Sequence, residues 1–245
     1  MSTGSPDLDG DNPFAVASPL PFGLPDFARI RPEHFRPAFE AGMARQLAEV
    51  EAIATDPAAP TFVTVVEALE RSGALLTRVS RAFFNLTSSS LTDELAAIEA
   101  EISPRLAEHA DAVQLNPRLF ARLDALYAAR DTLELDGEQR RLLDRCHRDF
   151  VRAGAGLDHA RQSRLREINT ELARLTTAFK NHLLADTVDL AVHLTDVAEL
   201  DGLPEGAVSA ARQAAQARGL DGHLITLGLP SSQPELELLT NRAVR

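Results

Sequence analysis

Apolar side chains recur at steps of three and four residues along most of the first 185 positions, which is the spacing of one face of an α-helix. The first such run predicts a helix that begins near Pro37 and ends in the sequence TDPAAP. The next segment, APTFVTVVEALERSG at residues 59–73, predicts a helix capped by Thr61 that runs to about residue 87. Gly73 then lies inside a helix, where it costs about 1 kcal/mol and lets another helix approach closely; a tolerated glycine without a role is the alternative.

Cap residues mark the starts of the later helices. Thr92 precedes a helix that contains Pro104, which predicts a kink, and Asn116 and Asp136 begin two shorter helices. Asp158 begins the longest helical pattern, whose apolar positions form a narrow stripe suited to packing along another helix. The stripe consists of Leu165, Ile168, Leu172, Leu175, Phe179 and His182. Together these patterns predict an antiparallel helical bundle.

The residues before the first helix differ in composition from the bundle. Residues 1–11 are polar and acidic and are expected to form a disordered tail. Residues 12–32 contain five prolines among apolar residues, so this segment cannot be a helix and is predicted to be an extended arm packed against other structure. We therefore assign residues 12–185 to one helical domain with a Pro-rich arm.

After residue 185 the pattern changes to that of a small α/β segment, residues 186–245. Alternating apolar residues predict strands over 188–194 and 223–229, with a helix between them over about 204–218 and a last helix from Pro234. Two strands separated by a helix favour a parallel or mixed pair, and two strands alone are rarely stable. The predicted fold is therefore mainly α, a helical bundle followed by a strand–helix–strand–helix unit that leads to a further domain.

Composition and charge restrict the possible partners. The chain of 245 residues carries a formal net charge of −11, which disfavours contact with phosphate backbones, so no nucleic acid is expected as a partner. No apolar run reaches the roughly 18 residues of a membrane span, and the N-terminus lacks a signal-peptide pattern. A single cysteine, Cys146, excludes an internal disulfide and is compatible with a reducing compartment. These features predict a cytoplasmic protein without a membrane partner.

The histidines do not form a recognisable metal-binding or catalytic motif. None of the seven begins an H-E-x-x-H sequence, and no two are four residues apart. His182 completes the apolar stripe and is expected in the core or at its boundary, whereas His109 is expected at the surface. Cys146 and His147 would point about 100° apart on a helix, so they cannot pair with each other, and Cys146 is interpreted as a buried structural residue.

The motifs of other enzyme classes are missing from the sequence as well. It contains no G-x-S-x-G, no G-x-G-x-x-G and no phosphate-binding loop. The small residues of RAGAGL at 152–157 are interpreted as a tight turn between helices, and the charges of Glu167, Glu171 and Arg174 as a solvated face. From the residues alone we assign no catalytic, no cofactor-binding and no metal-binding residue.

Several segments of the chain resemble, in the same order, the N-terminal region of one peptidase family. They are NPF, SPLPFGLPDFARIRPEHFRPAFEAGM, PTFVTVVEALERSG, LLTRVSRAFFNLTSS, LAEHADAVQLNPRLFARLDALY, DFVRAGAGL, INTELARLTTAFKNHLLADT and LITLGLPSSQPELELLTNRAVR. Over residues 12–245 the chain thus resembles the M3 family of zinc metallopeptidases, the thimet-oligopeptidase-like enzymes. Within that family it is more similar to the bacterial peptidyl-dipeptidase type than to the oligopeptidase A type.

The resemblance implies a mostly helical enzyme in which a narrow channel between two halves admits only short, unstructured peptides. It also implies an H-E-x-x-H helix that binds zinc with a later glutamate and activates water, a motif that this chain lacks. We therefore expect the N-terminal, channel-forming part of such an enzyme, inactive alone. Its partners would be short peptides and the C-terminal catalytic part that holds the zinc. The alternative is a stand-alone helical binding or regulatory module derived from the same scaffold.

Overall fold

The computed structural model describes residues 8–245, apart from the side chains of Val188, of residues 229–232 and of Pro234. These residues divide into a first compact unit that ends at Thr177 and a second unit, Ala178–Arg245. The helices up to this division are α1 (Phe35–Thr55), α2 (Ala68–Arg71), α3 (Ala74–Ser89), α4 (Asp93–Gln114), α5 (Pro117–Ala128), α6 (Gly137–Arg152) and α7 (His159–Asp189), within which the division falls. The prediction of a mainly α fold is confirmed.

Three of the predicted helix starts, those after Thr92, Asn116 and Asp136, agree with the structure because each is decided by a local cap. The Thr92 hydroxyl accepts from the backbone N–H of Leu95, and the Asn116 side chain accepts from two backbone N–H groups of the first turn of α5. Asp136 forms a reciprocal capping box with Gln139 at the start of α6. Sequence pattern and side-chain chemistry therefore specify the same boundaries.

The first hydrophobic core lies among α1, α3, α4 and the Pro-rich arm. At its centre the ring of Phe83 lies edge-on to Phe35 and Phe39, with centroid distances of 4.9 and 5.3 Å. Phe14 and Ile30 of the arm are buried in the same core, so the arm does pack on the bundle. The arm is not fully extended, since it contains short 3₁₀ turns at Pro21–Gly23 and Pro32–His34.

The start of the described chain differs in part from the predicted tail. Residues 1–7 lie outside the described residues. The next residues form a turn in which the backbone N–H of Asn12 donates to the carbonyl of Asp9 at 2.9 Å. Leu8 packs against the first core. Residues 8–11 thus form a turn and contact the first core, while the disordered tail predicted over residues 1–11 stays a prediction.

A second core of the first unit lies between the end of α1, the segment APTFVTVVEALERSG at residues 59–73, which we call the opening motif, α5 and α6. It contains Val65, Val66, Leu119, Leu123 and Leu143, all with no exposed surface. RAGAGL forms the turn after α6, where Gly154 has a φ of +96°. The interpretation of this segment as a tight turn between helices is confirmed.

The opening motif is not one continuous helix. A π-helical turn, Phe62–Glu67, leads into α2, and the chain breaks at Ser72 and Gly73 before α3 begins. Gly73 has a φ of +69°, a left-handed conformation that glycine adopts without steric cost. The prediction of a helix from Thr61 to about residue 87 is therefore wrong at its middle, because the glycine redirects the chain.

Helix α7 also differs from its prediction. It continues to Asp189, so the predicted strand 188–194 is reduced to β1, Val192–Leu194. His182 is exposed, not in the core or at its boundary. Most of the apolar stripe before it is exposed as well, namely Ile168, Leu172, Leu175 and Phe179, whereas Leu165 is partly buried. Its helical spacing was correct, but spacing does not reveal whether a partner is present.

The second unit contains β1, α8 (Glu205–Gln216), β2 (His223–Ile225) and α9 (Leu229–Leu238). The two strands pair antiparallel, with Val192 opposite Ile225 and Leu194 opposite His223. The parallel or mixed arrangement predicted from the intervening helix is wrong, because a helical connection does not fix strand direction. The last helix starts at Leu229, five residues before Pro234, since Pro230 is accepted in its first turn.

Candidate functional site

One face of α1 contacts the opening motif at Ser72 and Gly73, where the helix is interrupted. Gly42, Gln46 and Glu49 follow one another at steps of four and three, so they lie on the same side of the helix. A Cβ at Gly42 would lie 3.0 Å from the Cα of Leu76, which makes it a glycine at which two helices approach closely. Glu49 accepts a 2.7 Å hydrogen bond from the backbone N–H of Gly73. A Cβ at Gly73 would lie 2.5 Å from the Gln46 side chain of α1, so the close approach of another helix predicted at Gly73 is present. Gly42 is a second such position, which sequence reasoning missed.

A chain of hydrogen bonds extends from this face to His109 of α4. The imidazole Nε2 lies 2.7 Å from the amide oxygen of Gln46, which can only accept, so Nε2 carries the proton. The amide nitrogen of Gln46 donates to Ser72 Oγ at 3.4 Å, and that hydroxyl donates to the carbonyl of Leu69 at 2.7 Å. The network binds α1 and α4 to the helix break.

His109 is only 7% exposed, and the surface position expected for it is wrong. Burial lowers the pKa of its imidazole, which favours the neutral form. Asp111, two residues further, is also buried and accepts a 2.7 Å hydrogen bond from the side-chain amide of Asn169 on α7. These groups connect helices and have little surface at which a substrate could meet them.

Cys146 lies in the second core, as predicted. Its thiol points to Glu70 at 3.8 Å, while the neighbouring His147 binds Asp124 at 2.8 Å and stacks on the ring of Tyr127. Burial, followed by the charge of Glu70, raises the pKa of the Cys146 thiol to about 11. A thiol with such a pKa is protonated at neutral pH and is unsuited to act as a nucleophile.

We expect Cys146 to resist alkylation in the folded chain. With a thiol pKa of about 11, roughly one thiol in a thousand is ionised at pH 8, against about a quarter in the unfolded chain. Iodoacetamide labelling followed by mass spectrometry should therefore be slow at pH 8 and rise until about pH 11. Glu70→Gln removes a charge that raises the thiol pKa, so it should speed labelling.

Two further observations bear on this prediction. Because the unfolded chain loses the thiol proton first, the free energy of unfolding should fall as pH rises from about 9 to 11. Equal labelling rates for the native chain and for the chain in guanidinium chloride at pH 8 would contradict the burial of the thiol.

A surface cavity of about 280 Å³ lies between the Pro-rich arm and α3. Its walls include Phe14, Leu24 and Ile30, and its charged lining includes Arg78 and Arg81. Arg78 donates to the carbonyl of Phe14 at 3.2 Å, so this guanidinium helps to hold the arm. None of the described residues that line the cavity is a histidine or a cysteine.

Within the described part of the chain, no three histidine, cysteine or carboxylate side chains are placed to hold a metal ion. Four such ligands, or three and a water, are what zinc requires. These residues therefore do not fit the zinc of the family that the sequence resembles. In the same part of the chain, no helix combines the length and the apolar character needed to cross a membrane.

Curated peptidases match nearly the whole chain. It is 43% identical over 235 residues to dipeptidyl carboxypeptidase of Escherichia coli K12, a match that covers 96% of this chain and 34% of that protein. Dipeptidyl carboxypeptidase of Salmonella typhimurium is 40% identical over the same length, and oligopeptidase A of E. coli is 32% identical over 232 residues.

No family model matches the chain. The chain spans about a third of the length of these relatives, and it is more similar to the two dipeptidyl carboxypeptidases than to oligopeptidase A. The order of similarity inferred from the sequence segments is thus confirmed. The chain is homologous to part of the M3-family peptidases, the family that includes dipeptidyl carboxypeptidase and oligopeptidase A.

Proposed function

We propose that the chain forms the N-terminal, channel-forming part of a zinc-dependent peptidase that cleaves short peptides, and that it is inactive alone. The observation that carries the proposal is the 43% identity over 96% of this chain to a peptidase about three times as long. The zinc, the water-activating group and the remaining channel wall belong, in this proposal, to the rest of the enzyme. That part and short peptides are its partners.

The chemistry of the described residues supports the proposal that the zinc and the water-activating group lie in the rest of the enzyme. Peptidases of this kind need histidine and carboxylate ligands around zinc and a base for the bound water. Here the buried imidazole of His109 binds Gln46, and the Cys146 thiol has a pKa of about 11. Both groups are occupied in packing, so we assign no catalytic step to them. We propose a cytoplasmic location, with which a single cysteine is compatible.

We expect no hydrolysis when the chain alone is mixed with zinc and a short peptide. The matching experiment is a hybrid in which this chain replaces the homologous third of the E. coli dipeptidyl carboxypeptidase. The hybrid should release dipeptides, and a chelator should abolish the release. Mass spectrometry of the products measures both reactions.

Two results would contradict the proposal. One is turnover by the isolated chain that a chelator abolishes, since the catalytic groups would then lie in this region. The other is a folded hybrid, shown by circular dichroism, that binds zinc but releases no product. The hybrid without added substrate and the E. coli enzyme itself are the controls.

A further inference from the structure

The apolar stripe of α7 continues a side of the helix that begins as a packed surface. Gln162 donates to the carbonyl of Ala155 at 3.1 Å, and Asn169 donates to Asp111 at 2.7 Å. Leu165 packs beside Gly154, where an added Cβ would lie 2.6 Å from the leucine methyl. The first three turns of α7 are therefore fixed to the first unit along this side.

From Ile168 onward the large apolar residues along this part of α7 are exposed. We call Ile168, Leu172, Leu175 and Phe179 the α7 stripe. Leu165, Leu172 and Phe179 are seven residues apart, as are Ile168 and Leu175, which is the heptad spacing of a helix that packs along another helix. Leu172 is 55% exposed and Phe179 is 70% exposed. All belong to one helix, so the stripe is a property of α7 itself.

The charges beside the stripe are already paired within the helix. Arg164 lies 2.7 Å from Glu167, and Arg174 lies 2.7 Å from Glu171. These four charges already have partners within α7, so the main requirement for an occupant is apolar side chains at helical spacing. Burial of the exposed leucines and phenylalanine against such side chains would stabilise the docked state, because it removes apolar surface from water.

We propose that the α7 stripe is the docking surface for a helix of the polypeptide that makes up the rest of the longer relatives. This inference rests on the proposed function. The matched proteins carry about twice as much further polypeptide as this chain, which supplies the occupant. A second copy of the chain is the less suitable occupant, because each copy carries a net charge of −11 and copies repel one another.

The test compares Leu172→Glu, Phe179→Glu and the double variant with Val151→Glu, which places one glutamate at an exposed apolar position of α6 and so matches each single variant in charge. Each is made in the isolated chain and in the hybrid enzyme described above. In the isolated chain we expect all four variants to melt within about 1 °C of the unsubstituted chain. In the hybrid the stripe variants should melt lower, the double variant by at least 5 °C with at least a tenfold loss of activity, while Val151→Glu stays unchanged.

Several outcomes separate this inference from the proposed function. A hybrid that is active and equally stable with and without the double substitution overturns the docking surface alone. So does an isolated chain that the double substitution unfolds, or one that sediments as a dimer until the substitution dissociates it. The unsubstituted hybrid could also be inactive and yet melt at a lower temperature when the double substitution is made. This result supports the docking surface and contradicts the proposed function.

Discussion

Phe83→Ala is expected to lower the free energy of unfolding of the first unit by about 4 kcal/mol. Phe83 has no exposed surface and its ring contacts three others, those of Phe35, Phe39 and Phe84, at centroid distances of 4.9–5.3 Å. Truncation removes these edge-to-face pairs, each worth about 0.5–1.5 kcal/mol, and leaves a cavity between α1 and α3.

Urea unfolding followed by circular dichroism at 222 nm measures the loss. Phe27→Ala is the matched control, since Phe27 is an exposed phenylalanine of the arm and should cost less than about 1 kcal/mol. If both variants unfold at the same urea concentration, the aromatic cluster is not the centre of the first core.

Gly222→Ala is expected to destabilise the second unit by about 3 kcal/mol. Gly222 has a φ of +87°, and a Cβ at this position would overlap the backbone carbonyl oxygen of Leu194. The overlap is with main chain, which cannot rotate away as a side chain can. Because Leu194 pairs with His223, relief of the overlap has to separate the strands at that end.

Gly206→Ala supplies the control in the same unit. Gly206 lies in α8 and has no atom within 4 Å of an added Cβ, so this variant should gain up to about 1 kcal/mol from helix propensity. Proton–nitrogen correlation spectra of the two variants report on β1 and β2 directly. Unchanged strand signals in Gly222→Ala would show that the pair tolerates the methyl group.

Local chemistry made much of the fold predictable. Caps at Thr92, Asn116 and Asp136 act through hydrogen bonds to residues two or three positions away, so the sequence contains all of their determinants. The turn between α6 and α7 is also determined locally, by the small residues of RAGAGL at 152–157. Burial of Cys146 follows from its position on the apolar side of α6, with Leu143 and Phe150.

Tertiary contacts decided the features that could not be predicted. The apolar pattern around Gly73 is that of a helix. In the structure, however, the backbone N–H of Gly73 donates to the side chain of Glu49, 24 residues away, and not to a carbonyl of the preceding helical turn. The sequence around His109 is typical of an exposed polar face, but in the structure Gln46 of α1 hydrogen-bonds to its imidazole and helps to bury it. His182 fits the stripe, yet the described residues place nothing over it. No sequence motif pointed to a catalytic residue, and that assignment stays a prediction. What the structure adds is that no three histidine, cysteine or carboxylate side chains among the described residues are placed to hold a metal ion.

The bond between the Gly73 N–H and Glu49 makes the left-handed link before α3 depend on α1. The acceptor of this 2.7 Å hydrogen bond is 24 residues away, and the Gln46 side chain of α1 lies against the same glycine. A variant that displaces α1 would therefore leave a partly buried backbone donor without its protein partner. The link is thus specified by two helices together, and residues 61–89 alone do not contain all of its determinants.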